Sequence, residues 1–245
     1  MFLMQKATDL TTSEFAEQLA FPDSARPVVR ATFVSTIDGA ATVDGRSGVL
    51  GGDGDRHLFL LMRKMSDAVV VGARTALIEN YKAPADDDAT VLVLASRSLD
   101  IPVDYLPVTH PRVLIATCTS APSDLRRRLT DAGATLVDCG DIDLDPRRLI
   151  DELGTRGLRR IDLEGGPRLL ASFAAAGAVD ELILTTSPTL GLGDAPRIAH
   201  GASLPLPDQD LPLPDRLPYP MTLVRQFGDD DGYLYSLWSR RARAD

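Results

Sequence analysis

Short β-branched apolar runs alternate along this chain with stretches of helical periodicity, a pattern that specifies an α/β fold with a largely parallel sheet covered by helices. Residues 28–35 (VVRATFVS) read as the first strand. Asp53–Met65 reads as a helix, with Leu58, Leu61, Met62 and Met65 at helical spacing and Asp53 available as N-cap. The alternation continues with strands at 68–71, 90–94, 112–116, 160–164 and Glu181–Ser187, and helical stretches at 73–79, 124–132, 146–156 and from 167 to about 176. Two last strands are expected at 221–227 and 233–238, joined by the turn sequence DDDG. Residues 204–220 hold too many prolines for a helix or a central strand and read as an extended loop.

The chain has 245 residues, 44% hydrophobic and 25% charged, an ordinary globular composition that can bury a sizeable core. It shows no internal repeat and no interdomain linker, so residues 1–245 read as one domain with 1–27 as an N-terminal extension. The net charge of −9 argues against a general binder of nucleic acid or anionic membranes. Two cysteines and three histidines make neither a disulfide framework nor a metal centre. No apolar run approaches the ~20 residues of a membrane span. The expectation is a soluble, cytoplasmic protein acting on a small molecule.

Two strand–glycine–helix turns stand out. In LEGGPRLL a strand ends at Glu164, Gly165 and Gly166 follow, and Pro167 opens a helix at the position where its missing N–H costs nothing. Such glycines admit a ligand close to the backbone, and free N–H groups at the helix start attract phosphate. The same glycines also suit a tight turn needed only for sterics. VVVGARTAL repeats the arrangement, with Gly72 and Ala73 leading to Arg74 and Thr75, a charged fork and a hydroxyl suited to phosphate. Neither turn matches GxGxxG. A third strand ends in Ser96-Arg97, where an arginine suits the 2′-phosphate of NADP and a polar loop is the plainer alternative. The loop STIDGAATVDGRSGVL reads as turns at Asp38-Gly39 and Asp44-Gly45. It also reads as a substrate-facing loop, in which Ser47 and the downstream Arg63 offer donors.

Taken in order, FVSTIDGAA, GRSG, MRKMSDAVVVGARTAL, ASRSLDIP and IDLEGGPRLLASFAAAGAVDEL resemble the riboflavin-pathway pyrimidine reductase family. The resemblance implies a dihydrofolate-reductase-like fold: a central mixed, mostly parallel sheet flanked by helices, with a C-terminal antiparallel hairpin. It implies NADPH-dependent reduction of 5-amino-6-(5-phosphoribosylamino)uracil to the ribitylamino form, and a homodimer. By position it puts Val34 near the nicotinamide and Thr75 and Glu79 on the cofactor. Ser96 falls on the 2′-phosphate, and Gly166 through Pro167, Arg168, Leu169 and Leu170 to Ser172 on the pyrophosphate. It also puts Ser47 and Arg63 on the substrate and makes Glu164 a substrate-facing acid. Glu164 is then the first candidate to assist proton transfer, with Asp38 second and a water third.

The chain departs from the family pattern in lacking the HxE and PCxxC motifs of the zinc deaminase that many members carry, which implies a stand-alone reductase. Thr32 stands near the family's usual lysine. Asn80-Tyr81-Lys82 replaces the usual Asp-Pro and a later arginine, leaving Lys82 to take the substrate phosphate. Rival readings are a reductase of dihydrofolate or another heterocycle, and a non-catalytic NADPH-binding sensor.

Overall fold

The computed structural model describes residues 5–7, 10–85, 87–201 and 220–240. Its chain order is β1 (Gln5–Lys6), α1 (Thr12–Gln18), β2 (Val28–Thr36), α2 (Asp53–Met65), β3 (Ala68–Gly72), α3 (Ala73–Ile78), β4 (Val91–Ala95), β5 (Val113–Thr117), α4 (Ser123–Asp131), β6 (Thr135–Asp138), α5 (Pro146–Thr155), β7 (Arg160–Gly165), α6 (Pro167–Ala175), β8 (Glu181–Ser187), β9 (Met221–Gly228) and β10 (Leu234–Arg240). The proline-rich stretch expected at 204–220 lies, but for Pro220, outside the described residues.

The strands form one ten-stranded sheet in the order β1-β9-β10-β8-β2-β7-β3-β4-β5-β6. Only β10 runs antiparallel to its neighbours, β8 and β9. The mixed, mostly parallel sheet and the terminal hairpin are as expected, and Asp229 to Gly232 close that hairpin. The helix starts follow local chemistry. Asp145 caps α5 by accepting from the Arg147 N–H, and proline opens both α5 and α6. One expectation is corrected at α2: its N-cap is Gly52, and Asp53 is the first helical residue. There, beside Asp55 in the first turn, its charge favours the positive end of the helix dipole.

Cross-strand register assigns the two faces. Arg30 of β2 lies opposite Asp162 of β7 and Glu181 of β8, and Val69 of β3 lies opposite Asp162, so these side chains share a face. That face carries α1 and α2, which pack through Phe15, Leu58 and Met62 on Ile183 and Phe227, and further along α3 and α4 over Val69, Leu92 and Ile115. The other face carries α5 and α6, with Leu149 and Phe173 packed over Val29, Ala31, Val70 and Leu163. Arg30 lies fully buried under α2. Its Nε and Nη2 donate to Glu181, Nη1 donates to the Leu19 carbonyl and Nη2 to that of Ala20, and Phe21 stacks 4.0 Å from the guanidinium.

Candidate active site

The carboxyl ends of β2, β3, β4 and β7 open into one cleft of about 2030 Å3. Small-ligand pockets usually hold ~300–1,000 Å3, so this one has room for two ligands side by side. In parallel α/β sheets, the crevice beyond the strand ends is where ligands bind.

One side of the cleft is built by the two glycine turns, which face each other. A Cβ on Gly72 would lie 3.6 Å from the Gly165 carbonyl oxygen, and one on Gly166 would lie 2.6 Å from Thr75 Oγ1. The glycines thus let the two turns close on one another. Gly165 has φ of +105° and sits against the Phe33 ring, and the Gly165–Gly166 peptide is cis. No side chain caps α6; Pro167 brings no N–H, and the Leu169 and Leu170 amides donate to the Gly166 carbonyl at 2.9 and 3.1 Å. Arg74, Thr75, Arg168 and Leu169 line this wall beside Gly72, Ala73, Gly166 and Pro167. Arg74 and Arg168 are exposed and form no ion pair among the described residues. Ser96 and Arg97 extend the wall from β4, with Arg97 held by Asp143 at 3.1 Å. That pair is exposed at both ends and worth at most ~1 kcal/mol, so an arriving phosphate can displace it. Val34 also lines the cleft. Leu170 does not: it is buried with Phe173 in the core, one helical step past the wall.

The α2 side is organised by Glu164. A bulge in β7 sets Glu164 and Gly165 against Val71 alone, as bulges beside active sites commonly do to aim a side chain. The Glu164 side chain has no exposed surface, and Arg63 grips it with a fork: Nε to Oε1 and Nη2 to Oε2, both 2.6 Å. The Arg63 guanidinium lies between the rings of Phe59 at 4.3 Å and Tyr81 at 4.6 Å, and 28% of the side chain stays exposed. Burial works against the Arg63 charge, but the Glu164 carboxylate outweighs it and raises the pKa. Burial, and then the same carboxylate, hold the Tyr81 phenol well above its usual range, so its proton stays in place. Behind Glu164, Thr32 donates to Asp162 Oδ1 at 2.7 Å. Asp162 is fully buried, and burial followed by the Glu164 charge pushes its carboxyl well above the usual range.

Ser47 and Glu79 also line the cleft, and they bond one another. Glu79 Oε1 accepts from the Ser47 amide at 2.9 Å and from its hydroxyl at 3.1 Å. Arg63 is itself absent from the cleft lining and reaches it through Glu164, Phe59 and Tyr81, which line it; two other expected residues are placed farther off. Asp38 lies outside the cleft lining, where it accepts from the Thr36 hydroxyl and from the amides of Gly191 and Leu192. These donors, the hydroxyl foremost, hold its pKa at about 2, so Asp38 ties two loops together and has no proton to give. Lys82 is exposed, turned toward Asn80 Oδ1 at 2.9 Å, and does not line the cleft.

Tyr81 is the main residue that the sequence reading did not single out for the site. Asn80 takes φ of +55° after α3, with its N–H on the Leu77 carbonyl and the Tyr81 N–H on that of Ala76. This is a Schellman ending, and it swings Tyr81 over the fork. Tyr105 Oη then pins the Tyr81 carbonyl at 2.8 Å. An asparagine just past a short helix is the signal that could have located it.

The mostly parallel sheet, the wide cleft at its strand ends and the buried acid–arginine fork give the architecture of an α/β enzyme. Residues 27–210 match the RibD C-terminal domain family, and the chain belongs to it. The chain is 28% identical to the 2,5-diamino-6-ribosylamino-4(3H)-pyrimidinone 5′-phosphate reductase of Methanothermobacter thermautotrophicus, over 73% of this chain and 86% of that one. It is 31% identical to riboflavin biosynthesis protein RibD of Corynebacterium ammoniagenes over 67% of this chain, and spans 44% of that relative's length. The fold is that of a pyrimidine reductase-like protein from Corynebacterium diphtheriae, with a TM-score of 0.76, 24% identity and coverage of 93% and 99% of the two chains. The chain is an oxidoreductase of the pyrimidine reductase kind. No helix among the described residues is long and apolar enough to cross a membrane.

Proposed function

We propose that this chain reduces the ribose of a phosphoribosylamino-pyrimidine with NADPH, giving the ribitylamino product, as in the conversion of 5-amino-6-(5-phosphoribosylamino)uracil. The observation that carries this reading is the Arg63–Glu164 fork, set at the end of β7 immediately before the double-glycine turn.

The residues present fit NADPH. The Gly72 and Gly166 turns close on one another at the cleft wall, and Arg74 and Arg168, which form no ion pair among the described residues, bring positive charge to it. Ser96 and Arg97 would hold the 2′-phosphate, and Val34 would lie beneath the nicotinamide. When bound, NADPH supplies the hydride that reaches C1′ of the opened sugar. The protein's part is positioning and charge. Glu164, which lines the cleft and is held at both oxygens by Arg63, would supply a fixed negative charge as a counter-charge to an iminium at C1′. Arg63 and Ser47 donate to the substrate, and Tyr81 Oη, which keeps its proton, donates in the same compartment.

The test follows NADPH absorbance with the phosphoribosylamino-pyrimidine generated in situ, and with dihydrofolate in parallel. Oxidation with the pyrimidine supports the reading. Oxidation with dihydrofolate alone overturns it, and tight NADPH binding without oxidation of either makes the chain a sensor.

A further inference from the structure

We propose that Asp162 holds the proton for the reduction and passes it through the Thr32 hydroxyl to the ring oxygen of the sugar. This deepens the reductase reading above, rests on it, and supplies the proton source which that reading leaves open.

Asp162 is fully buried at the third position of β7. Its Oδ1 takes the Thr32 hydroxyl at 2.7 Å, and its Oδ2 has no hydrogen-bond partner among the described residues. The charged groups packed around it are engaged with one another. Arg30 on β2 is forked to Glu181, and Arg63 on α2 is forked to Glu164. Glu164 itself, two residues along β7, opposes a second negative charge. From the end of α3, Tyr81 brings a phenol that keeps its proton and adds no charge. A buried carboxylate with one oxygen bare and its nearest cations engaged elsewhere is costly, and a neutral carboxyl avoids that cost. Burial, and then the Glu164 charge, accordingly keep the proton on Asp162 well above the usual carboxyl range.

The route to the cleft is short. Asp162 does not line the cleft, but Thr32 does. Ala31 of β2 pairs with Leu163 of β7, so Thr32 and Glu164 come next on strands ~4.8 Å apart, and both line the cleft there. A hydroxyl donates and accepts at once, and its hydrogen turns to suit its neighbours. When Asp162 holds its proton, the 2.7 Å contact can run from the acid to Thr32 Oγ1, leaving the Thr32 hydrogen to turn to the cleft.

In the step, the Thr32 hydrogen moves to the ring oxygen of the ribosylamine as the Asp162 proton replaces it. The bond from C1′ to the ring oxygen breaks, its electron pair staying on the oxygen as a new hydroxyl. The nitrogen lone pair forms the C1′=N bond of an iminium, whose charge the Glu164 carboxylate balances. Hydride then adds to C1′ and the C=N pair returns to nitrogen, so the neutral amine forms with one proton and one hydride consumed. Asp162, left as a carboxylate, recovers its proton from solvent. Tyr81, held above the already high range of a phenol, is the weaker acid and the poorer donor.

The test begins with the infrared spectrum of the ligand-free full chain at neutral pH. Native protein should show the C=O stretch of a protonated carboxyl that is absent in Asp162→Asn and shifted in Thr32→Val. Turnover of the phosphoribosylamino-pyrimidine is then followed against pH. Native turnover should fall as pH rises through the Asp162 titration. Asp162→Asn should lower turnover about a hundredfold at neutral pH and flatten that limb, with NADPH affinity within about twofold. Thr32→Val should lower it likewise and Thr32→Ser should restore most of the loss, a comparison that decides the matter if thermal unfolding shows that Asp162→Asn does not fold. Absence of the protonated-carboxyl band, or a Thr32→Val variant as active as native, overturns the relay and leaves the reductase reading in place. The band without oxidation of NADPH by the pyrimidine overturns the reductase reading and the relay with it.

Discussion

Two arginine–glutamate forks lie on the same face of the sheet, Arg30–Glu181 bridging β2 and β8 and Arg63–Glu164 joining α2 to β7. Arg30 has no exposed surface and spends every nitrogen inside the protein, on Glu181, on two α1-side carbonyls and near the Met62 sulfur. Arg63 commits Nε and Nη2 to Glu164, while Nη1 makes no hydrogen bond among the described residues. The first fork is closed on all sides and can only hold the sheet to α1 and α2. The second leaves Arg63 Nη1 without a hydrogen bond among the described residues and part of its side chain exposed, which distinguishes it from a pair whose every donor is spent inside the protein.

The sharpest way to break the closed fork is Arg30→Met. Removing one partner of a buried pair leaves an uncompensated charge on Glu181, at a cost of about 3–5 kcal/mol in urea unfolding. Arg30→Met with Glu181→Leu should recover most of that loss, because two apolar groups leave no stranded charge. In the open fork, Glu164→Gln should lower turnover about 10²–10³-fold, with an unfolding midpoint nearer to native than that of Arg30→Met. Arg63→Lys keeps the charge and loses the planar fork, so KM for the pyrimidine should rise about tenfold with NADPH affinity within twofold. Equal losses for both ligands would put Arg63 on the cofactor instead.

The smallest effect is expected at Asp38, the acid outside both forks. Its pKa of about 2 lies below the ordinary 3.8, so its charge stabilises the native state above pH ~4, and that contribution is lost as pH falls through about 2. Asp38→Asn should therefore lower Tm near neutrality, and the gap to the native protein should narrow as pH approaches about 2. A gap that widens toward acid would refute this.

What the sequence disclosed follows from how far each signal reaches. Asp53–Met65 and Glu181–Ser187 were legible to the residue, since periodicity is local and both elements bury one face. β6 was missed because its four residues, TLVD, lie at the sheet edge with only Val137 buried, leaving no apolar run to read. α1 carried a signal that went unread, the Thr11–Glu14 capping box. In the site, Glu164, Arg63, Ser47 and Glu79 were legible as residue types at suggestive spacings, but not their pairings. Asp38 showed why: its partners Gly191 and Leu192 lie more than 150 residues away, and only the fold turns an apparent acid catalyst into a loop tether.

The Ser47–Glu79 contact joins a wall assigned to the substrate with one assigned to the cofactor. Any ligand that stiffens or displaces one of these residues changes the energy of its neighbour's site, and equilibrium linkage makes that influence mutual. Whatever factor bound NADPH adds to the affinity for the pyrimidine, the pyrimidine must return to NADPH, so the order in which the two arrive alters the route but not the strength of the ternary complex.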